Sequence, residues 1–130
     1  MKKEGPFSFL EWFKSFRYAA VGMWDMLRTE HNAWVHAIVT VFVLGFSVWL
    51  RISGLEFSMI VMAVVGVWAA EAFNTVLEIV MNMISPEYSR AAQRAKDIAA
   101  GGVLIASIGS AIIGLFILGP PLWAKLQILF

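Results

Sequence analysis

The chain contains no cysteine, which excludes a disulfide, a zinc–thiolate site and a thiol nucleophile. Charge is scarce as well: 15% of its 130 residues are Asp, Glu, Lys or Arg, and the formal net charge is +1. That balance gives no basis for binding a nucleic acid. There are only two histidines and no histidine-rich metal motif. Neither a glycine loop ending in Lys-Ser or Lys-Thr nor a kinase-type glycine-rich loop is present, so any nucleotide must be held outside the common folds. A cleavable leader is not expected, because Glu11, Lys14 and Arg17 interrupt the N-terminal apolar segment. The first span is therefore expected to stay in the mature protein.

What the chain does have is apolar length. Hydrophobic residues make up 60% of it, with a mean hydropathy of +0.76. This composition predicts an all-α membrane protein, one domain over residues 1–130. Residues 33–50 carry no charge and end at Arg51, just long enough to span. A second apolar run extends from residue 57 to about residue 84, with the span placed at about 57–82. At 1.5 Å per residue the run is roughly 40 Å long, so one end must emerge from a ~30 Å slab. A third span is expected over 98–118, stopped by Gly119, Pro120 and Pro121.

Lys2, Lys3, Lys14, Arg17 and Arg28 precede the first span, and Arg90, Arg94 and Lys96 follow the second. The first connection has only Arg51 and the tail only Lys125. The positive-inside rule then places the N-terminus and the second connection in the cytoplasm. Residues 8–30 read as an amphipathic helix lying in the headgroup layer, with Phe9, Phe13, Phe16, Ala20, Met23 and Leu27 at helical spacing. Ser8 and Glu11 fit a capping box for it. The second connection also reads as helical, with Ser85 as cap, Pro86 in the first turn and Glu87 complementing the dipole. Gly102, Ala106, Ser110 and Gly114 recur every four residues in the third span, a packing stripe that lets backbones approach. Three spans are few to wall off a buried site, so an oligomer is expected.

Glu71, Asn74 and Glu78 share one helical face inside the second apolar run. An acid in hydrocarbon is costly and by default marks function. Glu71, inside the slab, suits a proton acceptor for a hydroxyl arriving from the membrane. The competing reading is a protonated glutamate bonded to a neighbouring helix. Glu78 lies near the cytoplasmic edge, and Glu30 closes the N-terminal arm at the same face. Two carboxylates there suit a hard divalent cation that keeps waters or phosphates on its other positions, although Glu30 beside Arg28 and His31 could equally be a plain surface acid. Asn74 can support either carboxylate. Lys96 either snorkels or meets phosphate oxygens, with Asp97 beside it for a cation or nearby base. His36 reads as a hydrogen-bonded interhelical residue, and the six tryptophans as an aromatic belt.

Glu71-Ala-Phe-Asn74-Thr75-Val-Leu-Glu78, followed by Ala95-Lys96-Asp97-Ile-Ala-Ala-Gly-Gly-Val-Leu104, resembles the signature of the small bacterial integral-membrane lipid kinases, the diacylglycerol and undecaprenol kinases. Ser15-Phe-Arg-Tyr18-Ala-Ala-Val-Gly22, then Arg28-Thr-Glu30-His-Asn32 and His36, is similar to the family's first segment. The likeness runs from about Phe13 to Pro120. It implies a homotrimer in the bacterial inner membrane, with composite active sites at the cytoplasmic face and MgATP as phosphoryl donor. By position Glu71 matches the catalytic base, and Glu30 and Glu78 the ligands of the nucleotide-bound Mg2+. Tyr18, Glu87, Lys96 and Asp97 match further ATP contacts, and Asn74 an active-site asparagine. Asn82 and Ser89 depart from the aspartate and histidine frequent there. The Glu30-x-Asn32 form with His36 is closer to the undecaprenol-kinase branch. The expected activity is transfer of the ATP γ-phosphate to diacylglycerol or undecaprenol. The alternatives are a non-enzymatic membrane subunit or channel with an intramembrane polar seam and, last, a proton-coupled carrier.

Overall fold

The computed structural model describes residues 8–129. Among these residues all regular structure is helical: α1 (Phe9–Thr29), α2 (His31–Leu50), α3 (Gly54–Ile84) and α4 (Arg90–Leu129). Lys2 and Lys3, which entered the orientation argument, lie outside the described residues. α2, α3 and α4 are each long and apolar enough to cross a membrane.

The joints between helices are short and chemically specific. Only Glu30 separates α1 from α2, and its extended backbone (φ −101°, ψ 118°) ends one helix and starts the next. Its N–H donates to Met26 O at 2.9 Å, satisfying a carbonyl that the end of α1 would leave unpaired. Between α2 and α3, Arg51 adopts the left-handed conformation (φ 55°, ψ 45°) and its N–H turns back to the last carbonyls of α2. α3 then opens on a capping box: Glu56 N–H donates to Ser53 Oγ at 3.3 Å, and Ser53 N–H to Glu56 Oε2 at 2.8 Å.

The capping box expected at Ser8 and Glu11 does not form. Ser8 is the N-cap of α1, but its side chain makes no capping bond. Glu11 reaches no capping contact and only its carbonyl is engaged, by the Ser15 hydroxyl at 3.1 Å. Ser85 is also not an N-cap. It ends α3 with its N–H on Met81 O, its hydroxyl bonds Glu87 O, and α4 starts only after Ser89, whose Oγ accepts from Ala92 N. Pro86 and Glu87 therefore lie in a non-helical connection.

The third correction concerns the end of the last span. α4 does not stop at Gly119 but continues to Leu129, with Pro120 and Pro121 inside it. Each proline removes one ladder bond, yet its fixed φ is helical, and apolar surroundings favour keeping every other backbone group paired within the helix. Beyond the prolines Lys125 anchors the extension: its Nζ donates to Trp49 O at 2.9 Å and lies 4.2 Å from the Trp49 ring centroid.

Cross-helix bonds fix the direction of each element. Ser110 Oγ donates to Ala63 O at 3.0 Å and Lys96 Nζ to Asn82 Oδ1 at 2.6 Å, so α3 and α4 run antiparallel. Trp68 Nε1 donates to Thr40 Oγ1 at 3.0 Å, and α2 lies antiparallel to α3. α3 and α4 form the most extensive pair. The small-residue stripe meets α3 at Ser110, whereas a Cβ added at Gly102 or Gly114 would touch nothing within 4 Å. Ser110 against Ala63, rather than the glycines, sets this approach within the chain. The buried apolar core is thin, and large side chains such as Phe42, Phe73, Leu115 and Phe116 point outward. A hydrocarbon solvent removes the drive to bury them.

Candidate active site

Glu71 sits within α3 on the side turned to α2 and α4, and is only 1% exposed. Both its carboxylate oxygens, and Thr75 Oγ1 one turn further along, lack a hydrogen-bond partner. Orphaned polar atoms at that depth call for an explanation. From α2, His36 Nε2 approaches Glu71 Oε2 to 3.6 Å, within ion-pair reach but beyond a hydrogen bond. The imidazole itself is held. Its ring meets Trp68 edge-on at 6.4 Å between centroids, and Trp68 is pinned by its bond to Thr40.

A cavity of about 270 Å³ opens here, with Asn32 and His36 from α2, Glu71 and Asn74 from α3, and Ala100 and Ser107 from α4 in its wall. Val35, His36 and Ser107 also line a longer, mainly apolar groove of about 600 Å³ that runs between the helices toward Leu122. The two cavities thus adjoin at His36. A smaller, mixed cavity, lined also by Val35, Val103 and Leu104, therefore sits beside Glu71 at one end of an apolar channel.

Glu30 and Glu78 both lie close enough to Glu71 for their charges to act on it. Glu30 is half-buried at the sharp α1–α2 joint and Glu78 is exposed. Seven positions apart, Glu71 and Glu78 differ in depth by roughly 10 Å along α3. Among the described residues no three His, Asp or Glu side chains converge tightly enough to cage a metal ion. Mg2+ does not need such a cage, since it is usually held by one or two carboxylates together with substrate phosphates.

Two other sequence-predicted residues, Lys96 and Asp97, lie near the start of α4, beside the end of α3. Lys96, in the second turn of α4, is bonded to Asn82 at the end of α3, and Asp97 Oδ1 accepts from Gln93 Nε2 at 2.8 Å. Tyr18 is 70% exposed on α1, and Glu87 is exposed in the α3–α4 connection. No hydrogen bond or ion pair joins the Tyr18 or Glu87 side chain to the rest of the set among the described residues. Sequence reasoning placed His36 between helices but did not pair it with Glu71. It passed over Thr75, whose i+4 spacing from Glu71 was the available signal. Trp68 also departs from the belt reading, being half-buried and bonded within the bundle.

Three apolar spans around a buried carboxylate, with a lysine and further carboxylates toward one end, define a small polytopic membrane protein. The chain belongs to the prokaryotic diacylglycerol kinase family, whose family model matches residues 17–118. It is similar to the undecaprenol kinase of Bacillus subtilis, at 36% identity over 110 residues, covering 85% of this chain and 89% of that protein. It is also similar to a diacylglycerol kinase of Synechocystis, at 34% identity over 109 residues, covering 83% of this chain but 62% of that protein. Membership makes the chain a bacterial membrane lipid kinase.

Proposed function

We propose that the chain transfers the γ-phosphate of ATP to the hydroxyl of a membrane lipid, with Glu71 as the general base. The observation that carries this reading is Glu71: its carboxylate is buried without a hydrogen-bond partner, and the residue lies in the wall of a cavity that adjoins an apolar groove. The lipid arrives from the membrane with its chain in the groove and its hydroxyl at Glu71. As the lipid oxygen bonds to the γ-phosphorus, its proton passes to Glu71, the bond from that phosphorus to the β–γ bridging oxygen breaks, and ADP leaves. Transfer of this kind depends mainly on positioning and charge neutralisation.

Glu30 and Glu78 would hold Mg2+, which when bound supplies positive charge against the ATP phosphates. Lys96 meets the phosphate oxygens, Asp97, Tyr18 and Glu87 contact the nucleotide, and Asn74 supports the carboxylates from the shared face. On this reading α1 lies in the headgroup layer of the inner membrane, the N-terminus is cytoplasmic, and the single domain acts as a homotrimer. The exposed aromatic side chains of α1, Phe13 and Phe16 among them, support the interfacial placement. Undecaprenol is the first candidate acceptor, since the relative so named is aligned over 89% of its own length. Diacylglycerol is the second.

The test is purified protein in mixed micelles with Mg2+ and γ-labelled ATP, offered undecaprenol and diacylglycerol in parallel. The expected result is label in the undecaprenol product. Label entering only diacylglycerol would reassign the acceptor. Label entering neither, in folded protein, would overturn the proposal and favour a non-enzymatic polar seam.

A further inference from the structure

We infer that His36 is a positioning residue for the transfer, orienting the Glu71 carboxylate so that one oxygen is occupied and the other faces the acceptor hydroxyl. The inference rests on the reading of Glu71 as base. Packing confines a buried carboxylate with no hydrogen-bond partner, but no polar contact orients its oxygens, and a general base must be aimed at the proton it takes. His36 Nε2 faces Glu71 Oε2 at 3.6 Å, the one contact between a basic and an acidic side chain within 4 Å among the described residues. Glu71 Oε1 has no comparable neighbour.

The histidine is itself immobilised. Thr40 holds Trp68, Trp68 packs edge-on against His36, and His36 faces Glu71. Four side chains from α2 and α3 alternate across one helix interface and end at the proposed base. The gap is longer than a hydrogen bond, and contacts of this kind commonly tighten only when substrate is bound. His36 also stands where the cavity beside Glu71 meets the apolar groove. A lipid entering along the groove therefore passes the imidazole before its hydroxyl reaches Glu71 Oε1. His36 touches no reacting atom in this arrangement. It acts through Glu71.

The test compares His36→Leu and His36→Gln in folded full-length protein, with kcat and KM measured separately for ATP and lipid. Misplacing a reacting group by about 1 Å can cost ~100-fold, so His36→Leu should lower kcat by about 10- to 100-fold. KM for both substrates should stay within about twofold, because an interaction serving only the transition state is lost. His36→Gln can still donate to Oε2 and should recover most of the loss. Equal losses in the two variants, a loss confined to the lipid KM, or no loss would each overturn the inference. Glu71→Gln separates the two claims. If it keeps the wild-type rate, the base assignment falls; if it is inactive while both His36 variants turn over normally, only the positioning role falls. Should His36→Leu fail to fold, 15N spectra of imidazole-labelled wild type and Glu71→Gln decide. The chain has two histidines, and Glu71→Gln must move the His36 resonances and leave those of His31. Unmoved His36 resonances would overturn the inference.

Discussion

Lys96 Nζ lies 2.6 Å from Asn82 Oδ1, joining the start of α4 to the end of α3 at the end of the bundle where Glu78 lies. The ammonium is thus held by a neutral acceptor, with no ion-pair partner among the described residues. An aspartate at position 82 would neutralise it, while an apolar residue would release it. If Lys96 meets phosphate oxygens, Asn82→Leu should raise KM for ATP several-fold, because the lysine must then be ordered by the nucleotide itself. Asn82→Asp should keep turnover, since its carboxylate accepts the same bond. Lys96→Met should lower kcat by about 100-fold, the scale of losing one aimed positive group. Steady-state kinetics on the three variants checks this. Normal ATP kinetics in Lys96→Met would remove the lysine from the nucleotide site.

The two glutamates of the α3 stripe should separate by metal dependence. Glu78→Gln removes a proposed Mg2+ ligand, so the Mg2+ concentration for half-maximal rate should rise at least tenfold, with partial rescue at high Mg2+. Glu71→Gln should lower the maximal rate without moving that concentration, because no part of the proposed metal site is lost. Titrating Mg2+ at saturating ATP and lipid distinguishes the two. Identical Mg2+ curves for both variants would mean that the stripe has a single role.

The spans and the α3 stripe were legible because both are written in local spacing. Apolar length sets the spans, and i, i+3, i+7 spacing puts Glu71, Asn74 and Glu78 on one face. What was not legible depends on the partner across an interface. His36 was placed between helices, but its pairing with Glu71 follows from the antiparallel register of α2 and α3, which no local pattern encodes. Pro120 and Pro121 misled for a different reason. Helix-stop rules reflect the cost in water, whereas in apolar surroundings the helix is the state that pairs the remaining backbone groups. Ser8 and Ser53 teach the same lesson: both are followed by glutamate at the third position, and only the pair on the tight α2–α3 turn closes its box.

The Ser110–Ala63 contact allows packing and hydrogen bonding to be told apart. Ser110→Ala removes a bond to a backbone carbonyl but keeps the close approach, and should cost about 0.6 kcal/mol, the average for interhelical bonds in membranes. Ser110→Leu adds bulk directly against α3 and should cost about 1–3 kcal/mol through overpacking. Unfolding in mixed micelles by a denaturing detergent measures both. An alanine variant as damaged as the leucine variant would show that the bond, not the spacing, holds α3 and α4 together.

The continuation of α4 past Pro120 and Pro121 makes a final prediction, because it sets two local costs against one anchor. Proline in a helix interior is about 3 kcal/mol less favourable than alanine in water, and less where neighbouring groups re-satisfy the freed carbonyls. Pro120→Ala and Pro121→Ala should therefore each stabilise the protein, provided that the segment is helical as observed. The anchor is Lys125, tied to both the carbonyl and the ring of Trp49 at the end of α2. Lys125→Met should lose that tie and speed hydrogen exchange after residue 121, while leaving the amides of residues 98–118 protected. The expected signature is opposite signs: greater stability for the alanines, faster local exchange for the methionine. Destabilisation by the alanines would mean that the prolines shape a bend the protein needs, and the continuous helix would then be the wrong account of this end of the bundle.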